Sequence, residues 1–404
     1  MLTSNTKKRL GLGLVAATIL GGALTGGSAN ADPKQYSAVV GVGSDTVQDV
    51  MNALAGATNG NFYTPINSGA ATSFRQEISF DAFPPAGVSD TCITAKLNGP
   101  TFTRPNGSTG GRKALYAASG LSSAGWTGVA INGLATCATA VDISGQVDFA
   151  RSSSGPANGD LGTDMTYVPF GRDAVTFGYY RAAGSPVTTL TRAQLTSLFT
   201  TGPQTIGGVR IVPCGIQTSS GTYSFWNTVT TASAGTENTA TTECNNLLGL
   251  RAEENDGTAL KARGDALAAV SGHSGDQVVI GFSAGAFIAK SNGVAPGAPP
   301  AGVGVGSISD NGSGTNLGSP TTGTAPALAP SSTFYADTVF GRNVYVVLPT
   351  TVATGPGNAA IKALFVGAGS AICSATTTIN TFGFLASGTC GSTTIKGSWI
   401  TGAS

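Results

Sequence analysis

Four short clusters of Ser, Thr and Gly residues carry the chemistry that this sequence offers. They are GSDT (43–46), NGSTGG (106–111), RSSSG (151–155) and SSGT (219–222), and each follows or closely flanks an apolar run. The first backbone amides of a helix have no partner inside the helix and lie at the positive end of its dipole. Hydroxyl groups beside such amides make a surface that binds anions. The clusters therefore predict a site that holds a small oxyanion.

Strand-like and helical runs alternate around these clusters. Residues 37–42 form an apolar run typical of a buried strand. The helix expected after it has apolar residues at i, i+3, i+4 and i+7, which are Val47, Val50, Met51 and Leu54. Asp45 or Thr46 is the expected cap of that helix.

Further along the chain, Thr191 and Gln194 predict a capping box, with Leu190 and Leu195 as its hydrophobic staple, for a helix that runs to about Phe199. Strands are expected at 209–212 and 277–282, and a helix at 223–229. Alternation of this kind indicates an α/β architecture with mostly parallel sheets.

Two similar segments predict where two lobes meet. FGRD (170–173) precedes an expected strand at 174–180, and FGRN (340–343) precedes one at 344–348. A chain that leaves one lobe, forms a second and returns needs two such crossing strands. A sequence similarity this short also arises by coincidence. We expect residues 32–172 and 341–404 in the first lobe and 173–340 in the second. Residues 293–332, rich in Gly, Pro, Ala, Ser and Thr, are expected to form a partly mobile surface excursion.

The first 31 residues have the pattern of a secretory signal peptide. Lys7, Lys8 and Arg9 precede the apolar stretch 10–24, and Ala29-Asn30-Ala31 follows as an A-x-A cleavage site. A membrane anchor is the alternative, but the apolar stretch is short and broken by glycine. No cysteine near the cleavage site offers a lipid anchor. We expect a secreted, extracellular protein whose mature chain starts at Asp32.

Charge and cysteine content agree with export. Loss of three cations from residues 1–31 leaves 18 of the 21 basic residues against 20 acidic ones, so no general attraction to nucleic acid or membrane surfaces is implied. Six cysteines, an even number, predict disulfides in an oxidising compartment. Their clustering favours Cys92–Cys137, Cys214–Cys244 and Cys373–Cys390 among the connectivities that are possible. A metal site is disfavoured because there is no C-x-x-C pair and His273 is the sole histidine.

These segments, taken in order, resemble the substrate-binding proteins of phosphate ABC transporters. The resemblance rests on VDFARSSSGP, YVPFGRDAVTF, LTRAQLTSLFTTG, the SSGT cluster before an aromatic helix, and ENDG (254–257) ahead of VVIGFSAGAF. It implies the two-lobed periplasmic-binding-protein fold of class II type, with a two-strand hinge formed here by the FGR strands. It also implies capture of phosphate between the lobes, with an ABC permease as a candidate partner. We expect a monomer without enzymatic activity, and nothing in the sequence indicates a cofactor.

The resemblance matches the family's ligand-binding loops to Thr46, Ser108, Thr109, Gly110, Ser220, Gly221 and Thr222. From the clusters themselves, further candidate ligand contacts are Ser44, Asp45, Arg151, Ser152 and Ser153.

Two positions depart from the family pattern. The family's aspartate that accepts a proton from the ligand is replaced by Ser153, and its arginine four residues before Ser-Gly-Thr is replaced by Ile216. Arg151 is a candidate for the missing cation and Asp45 for the missing acceptor. Each has a second interpretation, Arg151 as a solvent-facing loop residue and Asp45 as a helix cap.

Two other classes of function compete with this one. Gly281-Phe282-Ser283-Ala284-Gly285 fits the G-x-S-x-G motif of serine hydrolases, but the sole histidine precedes the serine, which is the wrong order for that fold. A secreted binding module without a transporter, such as a scavenger, adhesin or sensor, also fits the absence of an anchor. GVGSDT lacks the third glycine of a dinucleotide-binding loop, so no nucleotide cofactor is indicated.

Overall fold

The computed structural model describes residues 39–58, 60–66, 77–84, 91–122, 125–128, 137, 140–157 and 160–398. The expected signal peptide and mature N-terminus lie outside the described residues. The strands are β1 Val39–Gly43, β2 Ala57–Thr58, β3 Asn61–Phe62, β4 Glu77–Ser79, β5 Cys92–Thr94, β6 Thr101–Thr103, β7 Phe149–Ser152, β8 Met165–Arg181, β9 Thr189–Thr191, β10 Gln204–Ile206, β11 Val209–Pro213, β12 Gln277–Ser283, β13 Gly304–Val305, β14 Ser307–Asp310, β15 Thr321–Thr322, β16 Ala329–Pro330, β17 Gly341–Pro349, β18 Leu385–Ala386 and β19 Lys396–Gly397. The helices are α1 Gln48–Leu54, α2 Gly107–Ala118, α3 Arg192–Thr201, α4 Gly221–Thr230, α5 Ala234–Ala240, α6 Thr242–Leu248, α7 Gly257–Ala268, α8 Ala284–Ser291, α9 Ser332–Ala336, α10 Thr350–Thr354, α11 Ala359–Phe365, α12 Ala371–Ser374 and α13 Thr376–Thr381.

The main sheet runs through two halves of the molecule in the order β10-β11-β12-β8-β17-β7-β1-β4. In the half that we call lobe one, β1 is parallel to both β4 and β7. In the half that we call lobe two, β11 is parallel to β12. The carboxyl ends of these parallel strands are where α/β proteins bind their ligands. The expected α/β class is confirmed, but the expectation of mostly parallel sheets is wrong. The crossing strands β8 and β17 pair antiparallel with each other and with β12 and β7, so the main sheet is mixed.

The long strand β8 belongs to both lobes. Its residues 165–174 pair with β17, and its residues 175–181 pair with β12. The two FGR segments pair antiparallel with each other, with Asp173 opposite Arg342 and Arg172 opposite Asn343. FGRD therefore lies within β8 rather than before a strand that starts at 174, and GRN opens β17 rather than preceding a strand that starts at 344. The two segments form a strand pair.

Each lobe buries both faces of its sheet, as expected for parallel strands covered by helices. Alternation along β1 places Val39 in one hydrophobic cluster of lobe one and Val40 and Val42 in the other. Two further clusters cover the two faces of lobe two. The apolar face predicted for the first helix is buried against the cluster that contains Val39.

Local predictions are confirmed in part. Thr191 and Gln194 form the expected capping box at the start of α3. The expected cap of α1 is wrong, because Val47 occupies the N-cap position and no side chain bonds to the helix start. The hydroxyl of Thr46 instead contacts residues of lobe two.

The excursion at 293–332 is more integrated than the sequence predicts. It contains four short strands, and Ile308 and Leu317 are buried in the core of lobe two. A Cβ atom added at Gly306 would lie 1.9 Å from the Phe177 ring, so small residues here permit close packing rather than mobility. The three expected disulfides, Cys92–Cys137, Cys214–Cys244 and Cys373–Cys390, are present.

Candidate functional site

The four hydroxyl-rich clusters converge where the lobes touch. From lobe one, GSDT follows β1, the Ser153 turn follows β7, and the NGSTGG cluster opens α2. From lobe two, SSGT opens α4, where the Ser220 hydroxyl accepts a hydrogen bond from the Tyr223 amide at 3.1 Å. α2 begins with glycines and hydroxyl residues, and α4 begins with Gly221 and Thr222, so little side-chain bulk covers their first amides.

Hydroxyl groups from three clusters of lobe one lie within hydrogen-bond distance of one another. Ser44 Oγ donates to Ser153 Oγ at 3.2 Å, and the Oγ atoms of Ser108 and Ser153 are 3.3 Å apart. The Ser153 amide donates to Ser108 Oγ at 3.0 Å. All three serines are fully buried, so this predicted set does come together.

Lobe two approaches this set closely. A Cβ atom added at Gly221 would lie 2.5 Å from both Ser108 Oγ and Ser153 Oγ. The Thr109 amide donates to the Ser219 carbonyl across the lobes at 3.1 Å. Only glycine fits at position 107. Gly107 has a φ of +67°, and a Cβ atom there would lie 2.4 Å from the Ser219 carbonyl oxygen.

Thr46 is the point at which lobe one meets the polar side chains of lobe two. Its Oγ1 atom lies 3.2 Å from Thr222 Oγ1 and accepts a hydrogen bond from Asn255 Nδ2 at 3.0 Å. The same hydroxyl donates to Glu254 Oε1 at 3.4 Å, and Ser220 Oγ donates to Glu254 Oε2. Glu254 and Asn255 belong to the ENDG segment.

The cation at this site is Arg342, on the crossing strand β17. Its Nη2 atom donates to Thr222 Oγ1 at 2.9 Å and to Asp173 Oδ2 at 2.8 Å. Its side chain is 3% exposed, and Asp173 is fully buried. Nη1 of Arg342 is buried and has no hydrogen-bond partner among the described residues. The guanidinium therefore retains an unused donor beside the hydroxyl cluster.

Carboxyl groups of both lobes lie near the hydroxyl cluster. Asp45 lies between Ser44 and Thr46 in the loop after β1, and Glu254 of lobe two accepts a hydrogen bond from the Thr46 hydroxyl. Burial, followed by the charge of Glu254, raises the pKa of Asp45 well above its usual value, while Lys290 opposes the shift. Burial and the charge of Asp256 raise the pKa of the neighbouring Glu253 to about 7. Polar acceptors thus accompany the donors of the site.

Arg151 is buried behind the GSDT loop rather than at the hydroxyl cluster. Its Nε and Nη2 atoms donate to the carbonyls of Ser44 and Gly43 at 3.0 and 3.1 Å, and its Nη1 atom donates to Ser79 Oγ at 2.6 Å. The solvent-facing interpretation is therefore wrong, since the residue is 0% exposed. The geometry supports a role for Arg151 in holding the loop that carries Ser44 and Thr46.

Other predicted ligand residues make local contacts. Thr109 Oγ1 accepts a hydrogen bond from Arg112 Nη2 at 3.3 Å. Ser152 Oγ donates to the Ser154 carbonyl at 2.7 Å, which shapes the turn after β7. Gly110 is buried in α2. The Thr109 and Ser152 side chains therefore lie outside the hydroxyl set of Ser44, Ser108 and Ser153.

The G-x-S-x-G segment does form a strand-to-helix turn, but its serine is occupied. Ser283 Oγ donates to Asp173 Oδ1 at 2.9 Å and caps α8 by accepting from the Ala286 amide at 3.1 Å. His273 lies beyond the other end of β12, a strand of seven residues that spans roughly 20 Å. His273 bonds instead to Asp276 at 2.7 Å. No Ser–His pair is formed between these two residues.

Four residues of the site were not predicted as ligand contacts: Asp173, Glu254, Asn255 and Arg342. Each nevertheless lies in a segment that the sequence marks, because Asp173 and Arg342 belong to the FGR echo and the other two to ENDG. Within the described part of the chain, no group of His, Cys, Asp or Glu residues could hold a metal ion. Nor does any helix described there have the length and apolarity to cross a bilayer.

Comparisons with known proteins give similarity in fold only. No family model matches the chain, and no curated protein does. Similar solved structures include a putative phosphate ABC transporter substrate-binding protein with bound phosphate from Clostridium perfringens, at 13% identity and a TM-score of 0.45, covering 86% of this chain and 99% of the other. They also include an ABC-type phosphate transport receptor from Vibrio cholerae, at 14% identity and a TM-score of 0.44, covering 86% and 100% of the two chains. A third is PstS from Borrelia burgdorferi, at 13% identity and a TM-score of 0.36, covering 87% and 99%.

Proposed function

We propose that the chain is a secreted solute-binding protein that captures a small oxyanion between its two lobes for ABC-type uptake. Phosphate is the proposed preferred ligand. One observation carries the proposal. Buried hydroxyl groups from both lobes meet beside a buried guanidinium whose Nη1 atom has no partner among the described residues. A set of donors that converge from two separate lobes is suited to a ligand that both lobes enclose.

Neutral donors supply most of the recognition in this proposal. Ser108 and Thr222 lie in the first turns of α2 and α4, where free amides and the helix dipole favour negative charge. Thr46 and Ser153 add hydroxyls from the loops after β1 and β7. Hydrogen bonds to a charged acceptor each contribute about 1.5–3 kcal/mol, so a handful of them is enough for tight binding.

Charge selects the form of the anion. Asp173 already neutralises Arg342 through two hydrogen bonds, at 3.0 and 2.8 Å. A carboxylate, Glu254, adds negative charge to the site and offers acceptor lone pairs. An oxyanion that still carries a proton can donate to such an acceptor, whereas a fully ionised one is repelled. Phosphate has such a proton near neutral pH and sulfate does not, so Glu254 is the proposed acceptor in place of the family's aspartate.

Movement of the lobes would admit the ligand. β8 and β17 are the paired strands on which the lobes turn, a hinge-type closure. We propose a monomer that delivers its ligand to an ABC permease.

Calorimetric titration of the mature protein with phosphate and sulfate tests this function. We expect one phosphate bound per chain and weaker binding of sulfate. Absence of heat with phosphate, with the protein folded by circular dichroism, would contradict the proposal.

A further inference from the structure

Asn255 is held at two points by lobe two and reaches across to lobe one. The residue is 2% exposed, and its φ of +57° lies in the left-handed region, which asparagine tolerates better than most residues. Lys290 Nζ of α8 donates to its carbonyl at 2.7 Å, and the Ser283 amide donates to its Oδ1 atom at 2.9 Å. Both the backbone and the side chain of Asn255 are therefore fixed from within lobe two.

The orientation of the Asn255 amide follows from its partners. A backbone N–H can only donate, so the oxygen of the side-chain amide faces Ser283 and the nitrogen faces Thr46. That nitrogen, Nδ2, lies 3.0 Å from Thr46 Oγ1. The Thr46 hydroxyl therefore accepts a hydrogen bond from Asn255, and its own proton is left for another acceptor.

The neighbouring acceptors hold that proton only weakly. Thr222 Oγ1 lies 3.2 Å and Glu254 Oε1 3.4 Å from Thr46 Oγ1, whereas hydroxyl hydrogen bonds are usually about 2.7–2.8 Å long. Thr222 Oγ1 itself accepts from Arg342 Nη2 at 2.9 Å. Both threonine hydroxyls thus accept from nitrogen groups that can only donate, and both retain a proton for a better acceptor.

We propose that Asn255 is a positioning residue of the anion site, whose hydrogen bond across the lobes fixes the Thr46 hydroxyl as a donor to the bound oxyanion. This inference rests on the proposed function, because it takes the acceptor to be the anion. A phosphate oxygen at normal hydrogen-bond distance is a better acceptor than either neighbour at its present distance. When the Thr46 hydroxyl turns to the anion, Glu254 Oε1 is free to accept from the protonated oxygen of the ligand.

Asn255→Asp tests this role because it keeps the shape of the side chain. One carboxylate oxygen still accepts from the Ser283 amide, but the other accepts from Thr46 and takes the proton that the anion would receive. The added charge also repels the anion, so the same substitution is made in a Thr46→Val background, where only the charge acts. Calorimetric titration with phosphate gives the loss of affinity in each background, and the ratio of the two losses isolates the effect that passes through the hydroxyl. We expect Asn255→Asp to weaken phosphate binding at least about tenfold more in wild type than in Thr46→Val.

Two further variants make the comparison decisive. Asn316→Asp adds the same charge at an exposed position of lobe two, where Asn316 Oδ1 accepts from the Gly318 amide at 2.9 Å, and its phosphate affinity should equal that of wild type. Asn255→Gly fits a φ of +57° and adds no charge, so it takes the place of Asn255→Asp if that variant does not fold. It should weaken phosphate binding only when the Thr46 hydroxyl is present.

The outcomes separate this inference from the proposed function. Equal losses in the two backgrounds, in a protein whose wild type binds phosphate, would overturn the role of Asn255 and leave the proposed function standing. Absence of phosphate binding by wild type would overturn both.

Discussion

Thr222→Val removes one hydroxyl from the site and little else. Thr222 is fully buried in the first turn of α4, and its Oγ1 atom lies 2.9 Å from Arg342 Nη2 and 3.2 Å from Thr46 Oγ1. Valine keeps the β-branched shape and has a similar helix propensity, so neither a cavity nor helix fraying is expected.

The magnitude follows from the lost hydrogen bond. A donor to a charged ligand contributes about 1.5–3 kcal/mol, and about 1.4 kcal/mol corresponds to a tenfold change in affinity. Thr222→Val should therefore weaken phosphate binding by about tenfold to about a hundredfold. Arg342 keeps its bonds to Asp173, so the free energy of unfolding should fall by only about 1 kcal/mol.

Calorimetric titration with phosphate, together with urea unfolding, measures both effects. Thr228→Val is the control, because Thr228 lies on the same helix, is exposed and bonds only to the Ser224 carbonyl at 3.3 Å in its own helix. Its phosphate affinity should equal that of wild type. Undiminished affinity in a folded Thr222→Val protein would refute the assignment of this hydroxyl to the ligand.

Three further predictions concern structure and export. Ser283→Ala should lower the free energy of unfolding by about 1–3 kcal/mol in urea titrations, because α8 loses its cap and the buried Asp173 loses a donor; an unchanged midpoint would contradict this. Arg151→Ala should lower the free energy of unfolding by about 3 kcal/mol or more, because the buried side chain that holds the GSDT loop is lost. A thermal unfolding midpoint equal to that of wild type would disprove that role. N-terminal sequencing of protein from culture fluid should begin at Asp32, and recovery of the uncleaved chain in membranes would exclude the signal peptide.

Local patterns allowed much of the fold to be predicted. The capping box of α3 depends on residues three positions apart, so Thr191 and Gln194 predict it without tertiary information. Cysteine clustering predicted all three disulfides because each pair closes a loop within one part of the chain. The two FGR segments, which the sequence marks as similar, pair with each other in β8 and β17, but the start of β8 at Met165 was not predicted.

Residues that act across the lobes were harder to predict. Thr46 has the type and position of a helix cap, but its hydroxyl bonds to Asn255, which is 209 positions away in the sequence. Arg151 was one candidate for the ligand cation because it adjoins the serine cluster, yet alternation along β7 directs it to the opposite face from Ser152. Arg342 pairs with Asp173 only through the register of β8 and β17, which no local pattern specifies.

A crystal structure of the mature protein grown with phosphate tests the central claim most directly. The account predicts one tetrahedral anion between the lobes, within hydrogen-bond distance of Ser108, Thr222 and the Nη1 atom of Arg342. Phosphate bound elsewhere, or lobes in contact at saturating phosphate without an anion among these three residues, would contradict it.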